Sequence, residues 1–576
     1  MDIIKDKKSE IKISQIVKEN GEFTNSYRES IDYVLKQHFP QLVETEKYLE
    51  NVEDVDTEDF TINEVESCFL SMNKNGAPGI DGWSLDFIRE IFIANRQWFL
   101  KVLNFCLRMG YFPNVWKTAK VLLIPKGGKD VSQYESYRSI CLLPIRGKVF
   151  EKLLTNRLVT YLEDNKLLSD HQYGFRKGRS TEDALMRIKL FIETAKESEM
   201  VSCMISLDIQ NAFNSIRWNQ IKLLIHRNRV PGKIERVIYS FLRDRHIMLL
   251  EGQKWKYNIG VPQGSSLSPI LWLLLINEAL DLRETENFLI QAYADDIIIM
   301  LMSTASYHFT GMGENILKHL EMWANTYNLT FSKNKTKYLM FKYRKDITHF
   351  PGIYLYGGRI GYDKNIKYLG IIFDTNLSFM SHLNAIQSKV MKLHEKIKRN
   401  TRALWGLKAE VVKQIYLTVL EKMIMYGSSV WYRNLVKINK KLIQIQRTPL
   451  IGITKIYRTV SNEALQVLAG CPPLDIKIAE EIEVLTRIKQ VLTGHGVFGS
   501  FQASMFGKPA ECQCGQNIES VSHVILECEL WRDLRSEWPK SWKNKDLKEL
   551  VPIHEFRSQG SAIVKALYET RSMDWS

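Results

Sequence analysis

The sequence predicts an α+β protein, with a mixed α/β core between about residues 200 and 375, helices before it and a helical, basic region after it. Short apolar runs of strand length, Met200 to Ile209, Leu289 to Tyr293, Ile297 to Leu301, Tyr338 to Phe341 and Ile366 to Phe373, alternate with helical segments. Upstream, helical patterns surround the loop Asn75-Gly76-Ala77-Pro78-Gly79-Ile80-Asp81-Gly82 and the run Val121-Leu122-Leu123-Ile124-Pro125. Downstream, Lys389, Lys392, Lys396, Lys398, Arg399 and Arg402 interleave with Ile386, Val390, Leu393 and Ile397 at helical spacing.

Taken in order, residues 1–60 are polar and charged, with one amphipathic segment from Tyr27 to Phe39 that ends at Pro40, and they read as a linker or extension. Residues 61–200 are mainly helical, and Ser180-Thr181-Glu182-Asp183 forms a capping box opening a helix through Ala184, Leu185, Ile188 and Phe191. Residues 201–375 hold most of the strand-length runs, and 376–500 return to helix. A cysteine and histidine cluster falls in 505–535, and 536–576 read as a C-terminal tail. No internal repeat or low-complexity tract interrupts this order.

A chain of 576 residues with 45% hydrophobic and 25% charged residues has the composition of a folded, multi-domain protein. Its net charge of +14 points to a polyanionic partner, although charge alone equally fits a merely basic soluble protein. The N-terminus lacks the apolar stretch of a secretory signal. The most apolar run, Pro269 to Leu275, is far below the ~20 residues a membrane span needs, so no membrane partner is expected. Cys68, Cys106, Cys141, Cys203 and Cys471 are scattered and read as reduced thiols, which sets the expected location inside the cell, in nucleus and/or cytoplasm.

Ala292-Tyr293-Ala294-Asp295-Asp296-Ile297-Ile298-Ile299 places two aspartates at a turn between two apolar strands. Hard carboxylate oxygens there suit Mg²⁺, although two acids in a turn are more often simply solvated. Asp208 ends the run Val201 to Leu207 and is a second strand-end acid. Pairing the strand ends would gather Asp208, Asp295 and Asp296 into a site for two Mg²⁺ ions about 3.5–4 Å apart, the arrangement that activates an attacking hydroxyl and stabilises a leaving pyrophosphate.

Around these acids the chain resembles the reverse transcriptases of non-LTR (LINE-type) retrotransposons, in the jockey-like and ribosomal-DNA-inserting insect groups. The resemblance covers about Asn75 to Asp374 and extends more loosely to Cys528. It implies a right-hand polymerase fold, with fingers in 61–200, a palm in 201–375 and a helical thumb and connector in 376–500. It also implies an RNA-directed DNA polymerase using an RNA template, a DNA primer or target and dNTPs. Phe213, five positions after Asp208, stands where the family blocks the ribose 2′-hydroxyl. Gly260-Val261-Pro262-Gln263-Gly264-Ser265-Ser266-Leu267-Ser268-Pro269 resembles the next motif, with Gln263 and Gly264 against the nucleotide. Lys126 and Arg138, on finger strands, are the candidates to hold the triphosphate. Ser139 and Cys141 depart from the Pro and Ser usual there.

Gln172-Tyr173-Gly174-Phe175-Arg176-Lys177-Gly178-Arg179-Ser180-Thr181 resembles a block that distinguishes the non-LTR enzymes, and its basic residues suit backbone phosphates. Lys335, in Leu329-Thr330-Phe331-Ser332-Lys333-Asn334-Lys335-Thr336-Lys337, is the candidate acid that protonates pyrophosphate. Tyr368-Leu369-Gly370-Ile371 resembles the primer grip, and the family pattern continues in Gln446-Arg447, Tyr457-Arg458-Thr459 and Ala469-Gly470-Cys471-Pro472-Pro473-Leu474.

Cys512, Cys514, His523 and Cys528 offer four ligands within 17 residues, matching a closed tetrahedral Zn²⁺ knuckle; the bland reading is three thiols and a surface histidine. In similar elements such a knuckle grips RNA or target DNA. The family's endonuclease is not expected in the 60 residues before the fingers or the 48 after Cys528. Two other readings remain at this point: a nucleic-acid-binding protein without chemistry, and a viral RNA polymerase, which Phe213 and Tyr293-Ala294 disfavour.

Overall fold

The computed structural model describes residues 13–42, 57–73, 75–249, 254–341, 350–399, 407–539, 542–551 and 553–574. The chain divides into two units, Met1–Gly370 with Asp374–Asn376, and Ile371–Phe373 with Leu377–Ser576.

The first unit opens on α1 (Tyr27–His38), started by Ser26, whose hydroxyl accepts from the Glu29 N–H. Ile13, Ile16, Val34, Leu35 and Phe39 are all buried in the same apolar cluster as Phe60, Val121 and Val261. The segment that reads as an extension is therefore packed into the unit between residues 13 and 42; the rest of 1–60, up to Asp56, lies outside the described residues. Strands β1 (Ala119–Pro125) and β2 (Tyr137–Leu142) pair antiparallel, with Ile124 opposite Arg138. Alternation along β1 buries Ala119, Val121 and Leu123 and turns Ile124 outward.

Helix α2 (Ile145–Asp164) follows, and α3 (Thr181–Glu197) opens with the expected capping box between Ser180 and Asp183. Strand β3 (Val201–Leu207) leads into a short α4 (Ala212–Ser215). Strands β4 (Arg245–Met248) and β5 (Lys254–Tyr257) complete a sheet of order β2-β1-β4-β5. Helix α5 (Ser268–Asn277) is apolar on every side because every side is buried, from Ile270 to Ile276. Among the described residues no helix is long and apolar enough to cross a membrane.

Strands β6 (Phe288–Tyr293) and β7 (Asp296–Ser303), helix α6 (His308–Thr326), and strands β8 (Lys337–Phe341) and β9 (Gly361–Tyr362) finish the second sheet, of order β9-β8-β3-β7-β6. Its central strands are buried on both faces, so they read as unbroken apolar runs rather than alternating ones. The run Ile366 to Phe373 is in fact two short strands, Asn365–Tyr368 and Ile371–Asp374, interrupted where Leu369 and Gly370 take positive φ.

The second unit is helical, as expected. In α7 (Met380–Arg399) Leu383, Ile386 and Val390 are buried while Lys389, Lys392, Lys396, Lys398 and Arg399 are exposed; Arg402 lies outside the described residues. Helices α8 (Val436–Thr454) and α9 (Leu474–Thr493) continue the unit. The stretch that reads as a tail instead contains α10 (His554–Asp574), whose Phe556, Ile563, Val564 and Leu567 share a core with Ile488, Phe498, Val524 and Ile525.

Candidate active site

The β6–β7 hairpin turns on only two residues, Ala294 and Asp295, because Tyr293 pairs directly with Asp296. Ala294 takes φ 58°, the left-handed conformation that a two-residue hairpin requires of a central residue. Gln172 clamps this tip: its Oε1 accepts from the N–H groups of Gly174 (2.7 Å) and Ala294 (3.1 Å), and its Nε2 donates to the Ala294 carbonyl (3.3 Å). The Trp272 indole donates to the same carbonyl at 3.1 Å. Gly174 is there because a Cβ would lie 2.3 Å from the Ala294 nitrogen.

On the neighbouring strand, β3 pairs with β7 down to Leu207 opposite Ile297, and one further step of that register sets Asp208 against Asp296. Beyond β3 the chain pairs with residues 330–332: Gln210 donates to the Thr330 carbonyl and the Ser332 N–H to that of Asp208. This pairing delivers Lys335, whose Nζ donates to Asp208 Oδ2 at 3.0 Å.

Burial raises the Asp295 carboxyl above the ordinary range, with the charge of Asp208 adding to it. Asp296 reaches solvent at its edge, yet surrounding protein first, and then the charges of Asp295 and Asp208, push it up to about 6. The three acids thus sense one another. Uncompensated negative charge with a lysine ammonium already at one carboxylate is an environment that divalent cations fit.

The nucleotide candidates ring the same place. Lys126 donates to the Glu135 carbonyl at 2.7 Å, and its basicity is lowered by burial and then by the charges of Lys129, Arg138 and Lys335. Lys126, Arg138 and Lys335 therefore share one electropositive field beside the carboxylates. Arg138 is exposed and makes no ion pair among the described residues. Phe213 follows Asn211, which has φ 48°, and its ring packs 5.6 Å from that of Trp272. The Val261 N–H donates to the Phe213 carbonyl (2.8 Å) and the Cys141 N–H to that of Gln263 (2.7 Å). Gly264 has φ 109° and sits where a Cβ would be 2.8 Å from the Cys141 carbonyl oxygen.

Gln172 and Trp272, which support the hairpin tip, and Glu151, which supports the loop after Gly264, are not marked as site residues by the sequence motifs. Glu151 is fully buried on α2; its Oε1 accepts from the Leu267 N–H at 3.1 Å and contacts Ser265 Oγ, fixing the loop after Gly264. Burial raises its carboxyl well above the usual range. An acid between Phe150 and Leu153 on an otherwise apolar face was the available signal. The basic residues of the 172–181 block are placed differently from the expectation: Arg176 pairs with Glu163 at 2.5 Å and Arg179 with Asp170, leaving Lys177 as the exposed cation.

In the second unit, Cys512 Sγ and Cys528 Sγ are 3.7 Å apart and Cys514 Sγ lies 3.2 Å from His523 Nε2. Zinc–sulfur bonds of about 2.3 Å in a tetrahedron imply sulfur–sulfur edges of about 3.8 Å, so the donor set fits. The Gln516 N–H and His523 bring the Cys514 thiol down to about 6, favouring the ligating thiolate. His523 Nδ1 has no hydrogen-bond partner among the described residues and faces Glu527 at 3.7 Å, a carboxylate placed to orient the imidazole of a ligand histidine.

A family model described as "Reverse transcriptase (RNA-dependent DNA polymerase)" matches residues 124–373, the stretch that carries these motifs in the first unit. The chain is 25% identical over 596 residues to the "Putative 115 kDa protein in type-1 retrotransposable element R1DM" of Drosophila melanogaster, covering 90% of this chain and 57% of that protein. It is 30% identical over 385 residues to the "RNA-directed DNA polymerase from mobile element jockey" of the same fly, covering 64% and 41%. Against the "Retrovirus-related Pol polyprotein from type-1 retrotransposable element R1" of Nasonia vitripennis it is 30% identical over 290 residues, 49% of this chain and 81% of that protein. The chain thus spans less than two thirds of the first two relatives and most of the third. Similarity of that depth over the polymerase motifs and beyond them places the chain in the reverse transcriptase family, on its R1- and jockey-like non-LTR retrotransposon branch.

Proposed function

We propose that this chain is an RNA-directed DNA polymerase that extends a DNA 3′ end on an RNA template with dNTPs. The observation that carries the reading is the two-residue turn that sets Asp295 and Asp296 beside Asp208, facing the shared field of Lys126, Arg138 and Lys335. Asp208, Asp295 and Asp296 hold two Mg²⁺ ions, and the chemistry those ions supply is activation of the primer 3′-hydroxyl and charge neutralisation on the leaving pyrophosphate.

The protein's own residues do the rest. Lys126 and Arg138 bind the triphosphate, Arg138 by a planar fork and Lys126 as a point charge. Phe213 closes the space a ribose 2′-hydroxyl needs, and the Gln263–Gly264 backbone lies along the nucleotide. As the primer 3′-oxygen, its proton passed to solvent water, bonds to the α-phosphorus and the bond to the β-phosphate bridge breaks, Lys335 leaves Asp208 and gives its own proton to pyrophosphate. In the second unit Cys512, Cys514, His523 and Cys528 hold a structural Zn²⁺, and the exposed lysines of α7 lie along nucleic-acid phosphates. Residues 61–200 act as fingers, 201–375 as palm and 376–500 as thumb and connector.

Primer extension on an RNA template with dNTPs and Mg²⁺ tests this. The expected outcome is full-length product with dNTPs and little with rNTPs. Binding of primer–template without any extension would leave a nucleic-acid-binding protein in its place.

A further inference from the structure

Three of the segments that carry nucleotide candidates are β2 with Arg138, α4 with Phe213, and the loop with Gln263 and Gly264. The first two are joined to one buried histidine from the N-terminal segment, and the residues after that histidine bond to β5 and Asn258, upstream of the third. His38 ends α1 and is 8% exposed. Its Nε2 lies 3.1 Å from the Tyr134 carbonyl, just before β2. Its Nδ1 lies 3.3 Å from Ser139 Oγ, next to Arg138, and 3.4 Å from Asn214 Nδ2, next to Phe213. A carbonyl only accepts and an amide NH₂ only donates, so these partners select the neutral imidazole with hydrogen on Nε2 and an accepting Nδ1. Burial lowers the ring's basicity in the same direction, and Lys126 is close enough to add to that effect.

The chain after His38 bonds to the residues that lead into the third segment. The Trp255 indole donates to the Phe39 carbonyl at 3.0 Å, and Gln41 Nε2 donates to the Lys256 carbonyl at 2.6 Å. Leu42 and Asn258 exchange two hydrogen bonds, the Leu42 N–H donating at 2.8 Å and Asn258 Nδ2 donating back at 2.5 Å. Asn258 is two residues before Gly260, which lies so close to Asn214 that a Cβ would be 2.8 Å from its Cα.

We infer that His38 is a positioning residue of the nucleotide pocket: through Nδ1 it fixes Ser139 and Asn214, and so sets the triphosphate-binding strand and the sugar-facing Phe213 at a constant separation. The N-terminal segment is a staple across the pocket. This inference rests on the polymerase reading above. Because Phe213 acts by excluding a single hydroxyl, a small drift of α4 against β2 changes sugar selection before it changes the chemical step.

Two near-isosteric variants separate this role from simple docking of α1. His38→Asn keeps an acceptor where Nδ1 stands and loses the donor to Tyr134, whereas His38→Gln keeps the donor and loses the acceptor. Steady-state extension on an RNA template should give His38→Asn a parental KM for dNTP. His38→Gln should raise that KM about tenfold with kcat within about twofold, and narrow the preference for dNTP over rNTP, as expected for one lost hydrogen bond. Extension by the parent with both variants alike, whether both impaired or both unaffected, overturns the inference and leaves the polymerase standing. No extension by the parent overturns the polymerase reading and this one with it.

Discussion

In the proposed polymerase Asp296 carries opposite consequences for folding and for catalysis. Its carboxyl protonates near 6 in the folded protein against 3.8 ordinarily, so between those values the folded chain holds more protons than the unfolded chain. Stability of the metal-free protein therefore falls as pH rises from about 4 to about 6 and then levels off. Asp296→Asn removes that fall: thermal denaturation in EDTA at pH 7 should show a higher Tm for the variant than for the parent, while primer extension is lost. A lower Tm would mean that the carboxylate stabilises the fold. Asp208, Asp295 and Asp296 were readable because each stands at the end of an apolar strand run. Gln172 and Glu151 were not, because their partners lie 122 and 116 residues away in sequence, and a polar residue's role is invisible until the fold brings the partner to it.

At the scale of elements, the hairpin tip is a clamped turn. Ala294 is held by Gln172 and Trp272 and overlain by Gly174 with no room for a methyl group. Gly174→Ala must push the tip away, at a cost of about 1–3 kcal/mol for an overpacked contact. The expected result is a protein with unchanged circular dichroism and extension reduced at least tenfold; unchanged extension would show that the tip tolerates displacement. The strands of the second sheet were legible from unbroken apolar runs, and the capping box of α3 from four residues. The amphipathic pattern of α1 was legible too, but the docking of residues 13–42 was not, since Ile13, Ile16, Val34, Leu35 and Phe39 are spread through polar sequence and their partners lie far along the chain. The tail likewise hid α10, whose buried residues are too mixed with polar ones to give a clear apolar face.

For the molecule as a whole, each unit has cores of its own, and the cysteine and histidine cluster belongs to the second. Val524 and Ile525, directly after His523, are buried beside Phe498 and Ile563, so a metal held at the cluster would fix the segment that fills this core. Removing zinc with a chelator, or Cys512→Ser, should release one zinc per chain and speed amide exchange over residues 488–567. Protection of the β3–β7 strands in the first unit should be unchanged. No zinc on elemental analysis would return the cluster to three thiols and a histidine. The proposed polymerase chemistry depends on the carboxylates at the hairpin tip. The most direct measurement is single-turnover extension of one primer on an RNA template with dNTPs and Mg²⁺, comparing the parent with Asp295→Asn at matched primer–template binding. Extension by the parent and none by the variant is the predicted result; equal extension by both would contradict the assignment of the site.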